Sequence, residues 1–297
     1  MALTTLDTTS PGPSVEIRSS RNFASYGFGL IAVAPAMVLI GLLFAYPLGR
    51  LIVHSFSQPT WSVTNYDNVL TDPTTWRIMK ITLFIALESM GLCLILGYPI
   101  AFAIASLTPV RARLVLAVVL FPFWTSILAR MYAWEIILSQ NGAVVSVLHH
   151  FGVTQPPNLL YNRVSVLLGM THYLLPFMIL ALYSTMITID RSVCEASSSL
   201  GASSLQTFLR VYFPLSLPGV FTGGLLVFIL ALGFYVTPAT LGGPRDTTIA
   251  IYIQQRVNEL EFGQATAMAV ILLVVVSLLF FVYDRFLGFE RLLRQGG

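Results

Sequence analysis

Long apolar stretches separated by short polar segments dominate this chain. Each stretch is long enough to cross a hydrocarbon layer of about 30 Å as a helix. None shows the strict alternation of apolar and polar positions that is typical of membrane barrel strands. The pattern therefore predicts an all-α membrane bundle with six transmembrane helices, at residues 28–56, 81–106, 114–137, 164–188, 219–240 and 264–284.

The composition excludes an ordinary soluble domain. Of 297 residues, 56% are hydrophobic and 10% are charged, whereas roughly a quarter of the residues of a soluble domain are charged. The mean hydropathy of +0.80 extends this excess of apolar residues to the chain as a whole. The basic residues form no stripe that could follow a phosphate backbone, which argues against a nucleic-acid partner.

The chain is expected to have one membrane domain between two tails. Residues 1–27 are rich in Ser, Thr and Pro and are expected to be a flexible cytoplasmic tail; residues 28–287 form the transmembrane domain, and 288–297 a short cytoplasmic tail. The first apolar stretch is too long for the core of a signal peptide and is expected to remain as an anchor.

The distribution of basic residues predicts that both termini lie in the cytoplasm. With that orientation, the inner segments carry nine basic residues and the outer segments five, and cytoplasmic loops are usually the more basic. The inner set is Arg18, Arg21, Arg111, Arg113, Arg191, Arg210, Arg285, Arg291 and Arg294; the outer set is Arg77, Lys80, Arg163, Arg245 and Arg256.

The longest inner segment, residues 189–218, is predicted to form two short helices joined at a glycine. Asp190 is suited to cap the first helix, and Gly201 to end it in a left-handed conformation. Ser203 or Ser204 is suited to cap a second helix over 205–213, which Pro214 is expected to end. An apolar stripe on the second helix is expected to pack under the bundle, and it consists of Leu205, Phe208, Leu209 and Tyr212.

This segment resembles the signature loop of the permeases of ABC importers. The family pattern is Glu-Ala-Ala, three residues, Gly, nine residues, then Ile-x-Leu-Pro. The matching residues here are Glu195-Ala196-Ser197, Gly201 and Val211-Tyr212-Phe213-Pro214. The spacing agrees at every step, and Ser197, Val211 and Phe213 are conservative departures.

Further motifs resemble the first permease subunit of spermidine/putrescine-type importers, from about residue 28 to the end. They are Gly97-Tyr98-Pro99-Ile100-Ala101, Pro122-Phe123-Trp124-Thr125-Ser126 with Arg130 and Tyr132-Ala133-Trp134, Leu175-Pro176-Phe177, and Leu241-Gly242-Gly243.

The resemblance implies the type I ABC importer permease fold in the bacterial inner membrane, with polyamines such as putrescine or spermidine as cargo. It also implies a second homologous permease, two cytoplasmic ATPase subunits and a periplasmic solute-binding protein as partners. Glu195, Ala196, Ser197, Gly201, Val211 and Pro214 would then form the loop that couples to an ATPase.

The chain is not expected to bind ATP itself. A phosphate-binding loop needs Gly-x-x-x-x-Gly-Lys-Ser/Thr, and the single lysine, Lys80, stands between Met79 and Ile81. ATP and magnesium are therefore expected on the partner ATPases. No catalytic cluster is evident, so the chain is expected to be a transport subunit rather than an enzyme.

Polar and aromatic residues inside the spans are candidates for the solute path. Glu88 and Arg130 are expected at similar depth, where they could form a structural pair or border the path, and Arg130 could instead extend towards the outer interface. Trp124 and Tyr235 are candidates to line the path, since a cationic cargo would favour aromatic faces. His172 has no second ligand at suitable spacing and is expected to be a hydrogen-bonded bundle residue, not a metal ligand.

Several alternatives remain. The chain could belong to an importer of another small solute, such as an aminophosphonate, an opine, an amino-acid derivative or thiamine. It could instead be an ion-coupled secondary transporter, although only Glu88 resembles the ion-coordinating carboxylates of such proteins. A membrane enzyme is the third alternative.

Overall fold

The computed structural model describes residues 33–57, 61–154 and 157–294, and every regular element in these ranges is helical. The expected tail over 1–27 lies outside the described residues. Twelve helices follow in chain order. They are α1 Val33–Ser57, α2 Thr64–Thr71, α3 Pro73–Ser106, α4 Pro109–Leu120, α5 Ile127–Leu138, α6 Ala143–His150, α7 Arg163–Met186, α8 Arg191–Ser199, α9 Ser204–Leu232, α10 Val236–Leu241, α11 Ile249–Asn258 and α12 Phe262–Arg294.

Five of these helices are long and apolar enough to cross a membrane: α1, α3, α7, α9 and the Phe262–Tyr283 part of α12. The continuous helix expected over 114–137 is not formed. In its place is a pair of apolar segments, α4 with its following turn and α5 with α6, bent by 92° and together long enough for one span. Pro122 and the irregular residues Thr125 and Ser126 explain the bend, because proline removes a backbone donor and ends regular hydrogen bonding.

The expected fifth span, 219–240, is also interrupted. α9 ends at Leu232, residues 233–235 are not helical, and the short helix α10 follows. The last helix extends beyond residue 287, as far as Arg294.

The chain divides into two compact units, residues 1–50 and 51–297. In the first unit, the described part of α1 contains a π-helical turn over Gly41–Ala45. The Arg50 guanidinium carbon lies 6.0 Å from the centre of the Tyr46 ring.

The second unit is built around three helices, α3, α7 and α9, whose facing side chains form the main apolar core. Glycines on α9 bring it close to α7: a Cβ at Gly219 would lie 2.8 Å from the Cβ of Thr185, and one at Gly223 would lie 2.9 Å from the sulfur of Met178. Gly219 and Gly223, at four-residue spacing near the start of the expected fifth span, therefore allow close helix packing.

The starts of two core helices are fixed by side-chain caps. Asp72 accepts hydrogen bonds from the backbone N–H groups of Thr74 and Thr75, and Pro73 occupies the first turn of α3. These bonds and those from the threonine hydroxyls outweigh the opposing effect of burial, so the pKa of Asp72 lies below its ordinary value. Asn162 forms a capping box with Ser165 at the start of α7. Both caps satisfy donors that a helix leaves unpaired.

A second apolar cluster joins α2, α11 and the first two turns of α3 and α12, and it contains Val69, Ile78, Ile249, Tyr252 and Met268. It forms at the end of the bundle opposite to the 189–218 segment. The hydroxyl of Thr82 accepts a 2.8 Å hydrogen bond from the N–H of Ile249 and so anchors α11 to α3.

Candidate functional sites: the elbow and the interrupted spans

Residues 189–218, here called the elbow, begin with a capped short helix. The carboxylate of Asp190 accepts a 2.9 Å hydrogen bond from the N–H of Ser192 at the start of α8. Two hydrogen bonds from Ser192 hold the pKa of Asp190 below its ordinary value, and the one from the backbone N–H has a larger effect than the one from the side chain. α8 ends at Ser199, and Gly201 follows with a φ of +87°, a left-handed conformation that favours glycine. Both features agree with the sequence prediction.

The second part of the elbow starts as expected but does not end as expected. Ser203 and Gln206 form a reciprocal capping box at the start of α9. The prediction that Pro214 ends this helix is wrong. A π-helical turn over Phe208–Tyr212 precedes the proline, and the N–H of Phe213 donates to the carbonyl of Phe208, five residues back. The wider turn accommodates a residue that has no N–H, so α9 runs without interruption from the elbow into the bundle.

One face of α9 is packed against α3 through aromatic rings. Phe102 lies edge-on to Phe208 and Tyr212, with ring centres 5.6 and 5.0 Å apart. The hydroxyls of Tyr98 and Ser216 are hydrogen-bonded at 2.8 Å. Of the apolar stripe predicted on this helix, Phe208 and Tyr212 therefore pack under the bundle as expected. Leu205 and Leu209 do not, because they are 66% and 54% exposed.

The two helices of the elbow are also joined directly. The hydroxyls of Ser197 on α8 and Thr207 on α9 are 3.1 Å apart and hydrogen-bonded. Glu195 and Ala196 are exposed beside them. Val211 is half-buried, and Pro214 is exposed. The elbow therefore presents the outer face of α8 on a base that is fixed to the membrane helices.

The interrupted spans meet at a second candidate site, here called the aromatic–arginine cluster, which consists of Phe123, Arg130, Tyr173, Phe177 and Phe234. Phe123 belongs to the turn after α4, and Phe234 lies between α9 and α10. Their ring centres lie 6.4 and 4.8 Å from that of Tyr173 on α7. The ring of Phe177 lies 5.0 Å from that of Phe123. Both helix interruptions are thus in contact with the middle of one continuous span.

Arg130 lies on the ring face of Tyr173, with its guanidinium carbon 5.2 Å from the ring centre. Its Nη2 is 3.5 Å from the carbonyl oxygen of Thr125, so the side chain extends towards the break before α5. This direction does not fit the alternative in which Arg130 reaches for the outer end of its span.

The hypothesis that Glu88 pairs with Arg130 is wrong. Glu88 accepts a 2.8 Å hydrogen bond from Nε of Arg163, and Nη1 of the same arginine lies 3.7 Å from a carboxylate oxygen of buried Asp246. These three residues form an ion triad that joins α3, the start of α7 and the segment before α11. Position along apolar stretches suggested similar depths for Glu88 and Arg130, but it could not place them on facing helix surfaces.

The predicted path residues Trp124 and Tyr235 are adjacent in sequence to Phe123 and Phe234 but are exposed, at 77% and 44%. His172 accepts a 3.1 Å hydrogen bond at Nδ1 from the indole N–H of Trp134, which confirms a hydrogen-bonded bundle histidine. No group of three or more His, Cys, Asp or Glu side chains in the described ranges could hold a metal ion.

Sequence reasoning missed Arg163, Asp246 and Tyr173. Arg163 was counted only as a loop charge, although Asn162 before it signals the start of a helix and therefore a fixed position. Nothing in the local sequence of Asp246 indicates burial. Tyr173 follows His172 in an apolar stretch and carries no signal of its own.

Comparison with known proteins identifies the family. The family described as binding-protein-dependent transport system inner membrane component matches residues 97–289, which include the elbow and both interrupted spans. The chain belongs to this family. It is a permease subunit of an ABC importer and a multi-pass protein of the inner membrane, and its function is transport rather than catalysis.

Relatives of this permease are similar to it in sequence over most of its length. It is 35% identical over 235 residues to the spermidine/putrescine transport system permease protein PotB of Escherichia coli strain K12. The alignment covers 78% of this chain and 84% of that protein. It is 29% identical over 278 residues to the inner membrane ABC transporter permease protein YdcU of the same organism, covering 86% and 88%.

Solved structures confirm the permease fold. A chain from a bacterial ABC transporter that imports the acidic polysaccharide alginate matches with a TM-score of 0.66 and 21% identity, covering 88% of this permease and 96% of that chain. A chain from the alginate transporter in complex with an alginate pentasaccharide-bound periplasmic protein gives a TM-score of 0.69 and 20% identity, covering 88% and 94%.

Proposed function

We propose that this permease imports polyamines, as one half of a heterodimeric pathway. The relative with 35% identity is named for spermidine and putrescine, which supports this cargo class. The alternative cargoes are other small solutes delivered by a binding protein. A binding screen on the solute-binding protein that copurifies with the complex tests the proposal: putrescine or spermidine as ligand supports it, and any other ligand contradicts it.

The full assembly has a second homologous permease, two ATPase subunits that hold ATP and magnesium, and a periplasmic solute-binding protein. The structural relative solved with a periplasmic protein supports this last partner. The elbow and both termini face the cytoplasm in this arrangement, with a membrane domain over 28–287.

The elbow couples this permease to an ATPase subunit. The observation that carries this proposal is the continuity of α9, which joins the elbow to the bundle without a break. A displacement of α8 passes to α9 through the Ser197–Thr207 contact and then along a stiff helix, whereas a flexible loop would absorb it. Glu195 and Ala196 lie on the exposed face available to the ATPase.

The solute path passes the aromatic–arginine cluster. Exposed Trp124 and Tyr235 offer ring faces to a cationic cargo beside the two interrupted spans. Glu88 and Arg130 border the same route, Glu88 through its half-exposed carboxylate. Helix interruptions at this depth are tolerated where they line a cavity or are buried in protein.

Replacement of Gly201 by valine tests the coupling. We expect the variant to reach the membrane but to lose the ATPase stimulation and the uptake that binding protein and cargo produce, because a β-branched residue disfavours the φ of +87° that orients α8.

Gly152→Val is the matched control. Gly152 has the same φ of +87° and, like Gly201, open space where a Cβ would be placed, but it lies outside the elbow. Normal stimulation in Gly201→Val, or an equal loss in Gly152→Val, would contradict the assignment of coupling to the elbow. Uptake by this chain alone in energised vesicles would instead indicate a secondary transporter.

A further inference from the structure

Arg130 has no anionic partner within the described part of the chain. No described carboxylate lies within 4 Å of its guanidinium, and its Nε atom is buried without a hydrogen-bond acceptor. It contacts the Tyr173 ring and, at a long 3.5 Å, the carbonyl of Thr125, and it lies near His172, which offers no negative charge. A guanidinium offers five N–H donors, so most of its capacity is unused.

The position of Arg130 makes this unusual. Tyr173, on which it rests, is ten residues into the membrane-spanning helix α7, about 15 Å from its start at 1.5 Å per residue. Charged groups at such depth are costly unless they pair with an opposite charge or face water. The side chain extends towards the break before α5, which argues against contact with lipid headgroups at the far end of α5.

The nearby carboxylates already have partners. Glu88 and Asp246 are bound to Arg163. Glu135, one residue after Trp134 on α5, accepts a 2.6 Å hydrogen bond from the hydroxyl of Tyr161. The described chain therefore supplies no carboxylate that is free to pair with Arg130.

The surroundings of Arg130 indicate a protein as the source. The residue is partly exposed, and Ala133 and Ile137, three and seven residues after it and therefore on the same side of α5, are exposed as well. This apolar face suits another helix as well as lipid, but lipid chains offer no anion at this depth. We propose that Arg130 forms an ion pair with an aspartate or glutamate on a membrane-spanning helix of the second permease subunit.

This inference rests on the proposed heterodimer and on its cationic cargo. An uncompensated arginine beside the path would repel a polyamine, whereas an arginine paired across the subunit interface leaves the path close to neutral. The pair would thus fix the register of the two permeases and remove a barrier to the cargo. An inter-subunit charge pair of this kind also discriminates against wrong partners.

The test uses the complete complex, with this chain tagged and coexpressed with the second permease, the ATPase and the binding protein. Arg130→Glu is expected to retain its amount in the membrane but to copurify with at least fivefold less second permease, and to lose uptake. Arg130→Lys is expected to retain most of the association. Arg130→Met must also reduce copurification, and it keeps the test valid if the charge reversal impairs folding.

The second step reverses each membrane-embedded Asp and Glu of the second permease to Arg, one at a time, together with Arg130→Glu. One reversal is expected to restore both copurification and uptake. Arg163→Glu is the matched control: both of its carboxylates lie in this chain, so a reversal in the second permease should not rescue it.

Several results would overturn the inference. The first is that Arg130→Glu and Arg130→Met copurify with as much second permease as the wild type does. The second is that no reversal in the second permease rescues Arg130→Glu. The third is that Arg130→Met loses uptake but keeps its association with the second permease, which would assign Arg130 to the cargo alone. If no second permease copurified with the wild-type chain, the proposed heterodimer itself would be refuted.

Discussion

Arg163 binds two carboxylates from different parts of the chain, and one of them, Asp246, is buried. Removal of the arginine would leave that carboxylate without its cation in an apolar environment, which is costlier than the loss of an exposed ion pair. The triad is therefore expected to stabilise the end of the bundle at which α7 begins.

A double-mutant cycle tests this expectation. Arg163→Met is expected to destabilise the permease by about 1–3 kcal/mol, and Asp246→Asn in the same background should recover part of the loss. The measurement is the thermal unfolding midpoint of the purified protein. Glu259→Gln, which removes an exposed contact to Arg256 at 3.3 Å, is the control and should change stability by less than about 1 kcal/mol. Additive effects of the two triad substitutions would show that no coupling exists.

Asp190 gives a prediction about pH. Its pKa is lowered in the folded protein, so its contribution to the stability of α8 is complete above the ordinary aspartate pKa and is lost as the pH falls through the lowered value. Hydrogen-exchange protection of 191–199, corrected for intrinsic rates, should therefore not change between pH 8 and 6.

Two variants separate charge from capping at Asp190. Asp190→Asn should preserve the cap, because asparagine also accepts the backbone hydrogen bond, and Asp190→Ala should lose protection at every pH. Equal protection in Asp190→Ala and the wild type would show that the cap does not stabilise α8.

At the scale of the elements, the packing of α9 depends on glycines with different amounts of free space, Gly219 facing α7 and Gly224 facing α3. A Cβ at Gly219 would lie 2.8 Å from both the Cβ and Oγ1 of Thr185, whereas one at Gly224 would meet only the flexible side chain of Met90, at 3.5 Å or more. Alanine favours a helix by about 1 kcal/mol over glycine, but overpacking costs about 1–3 kcal/mol.

The two positions should therefore respond differently to alanine. Gly219→Ala is expected to lower the unfolding midpoint, and Gly224→Ala to leave it unchanged or raise it. Thermal unfolding of both variants in the same detergent measures the difference. The same response at both positions would contradict the packing described for α9 against α7 and α3.

Single-residue signals predicted the elements far better than the breaks within them. Asp190, Gly201 and Ser203 have strong local preferences, and the structure uses all three as expected. Pro214 also has a strong preference, but the π-helical turn before it relieves the conflict, and such a turn leaves no simple pattern in sequence. The partners of Glu88 and Arg130 depend on helix rotation and crossing, which apolar stretches without a polar face do not encode.

At the scale of the whole molecule, the two cysteines provide a test of orientation. Cys194 lies on α8 and is partly exposed, while Cys93 is buried in the core. A membrane-impermeant maleimide is expected to label Cys194 in inside-out vesicles stripped of ATPase but not in intact spheroplasts. Rebinding the ATPase subunits should protect it.

Two controls accompany the labelling. Cys194→Ser should abolish it, and Cys93→Ser should leave it unchanged. Labelling of Cys194 in intact spheroplasts would place the elbow on the periplasmic side and contradict both the predicted orientation and the coupling role.

The π-helical turn at Phe208–Tyr212 also determines the direction in which α8 faces. A turn of this type holds one residue more than regular α-helix, and one residue corresponds to a rotation of about 100°. Deletion of a single residue from this turn would shorten α9 only slightly, yet it would swing α8 about a quarter of a circle around the axis of α9. In the proposed coupling, the direction in which α8 meets the ATPase subunit is thus set by one residue of helical winding.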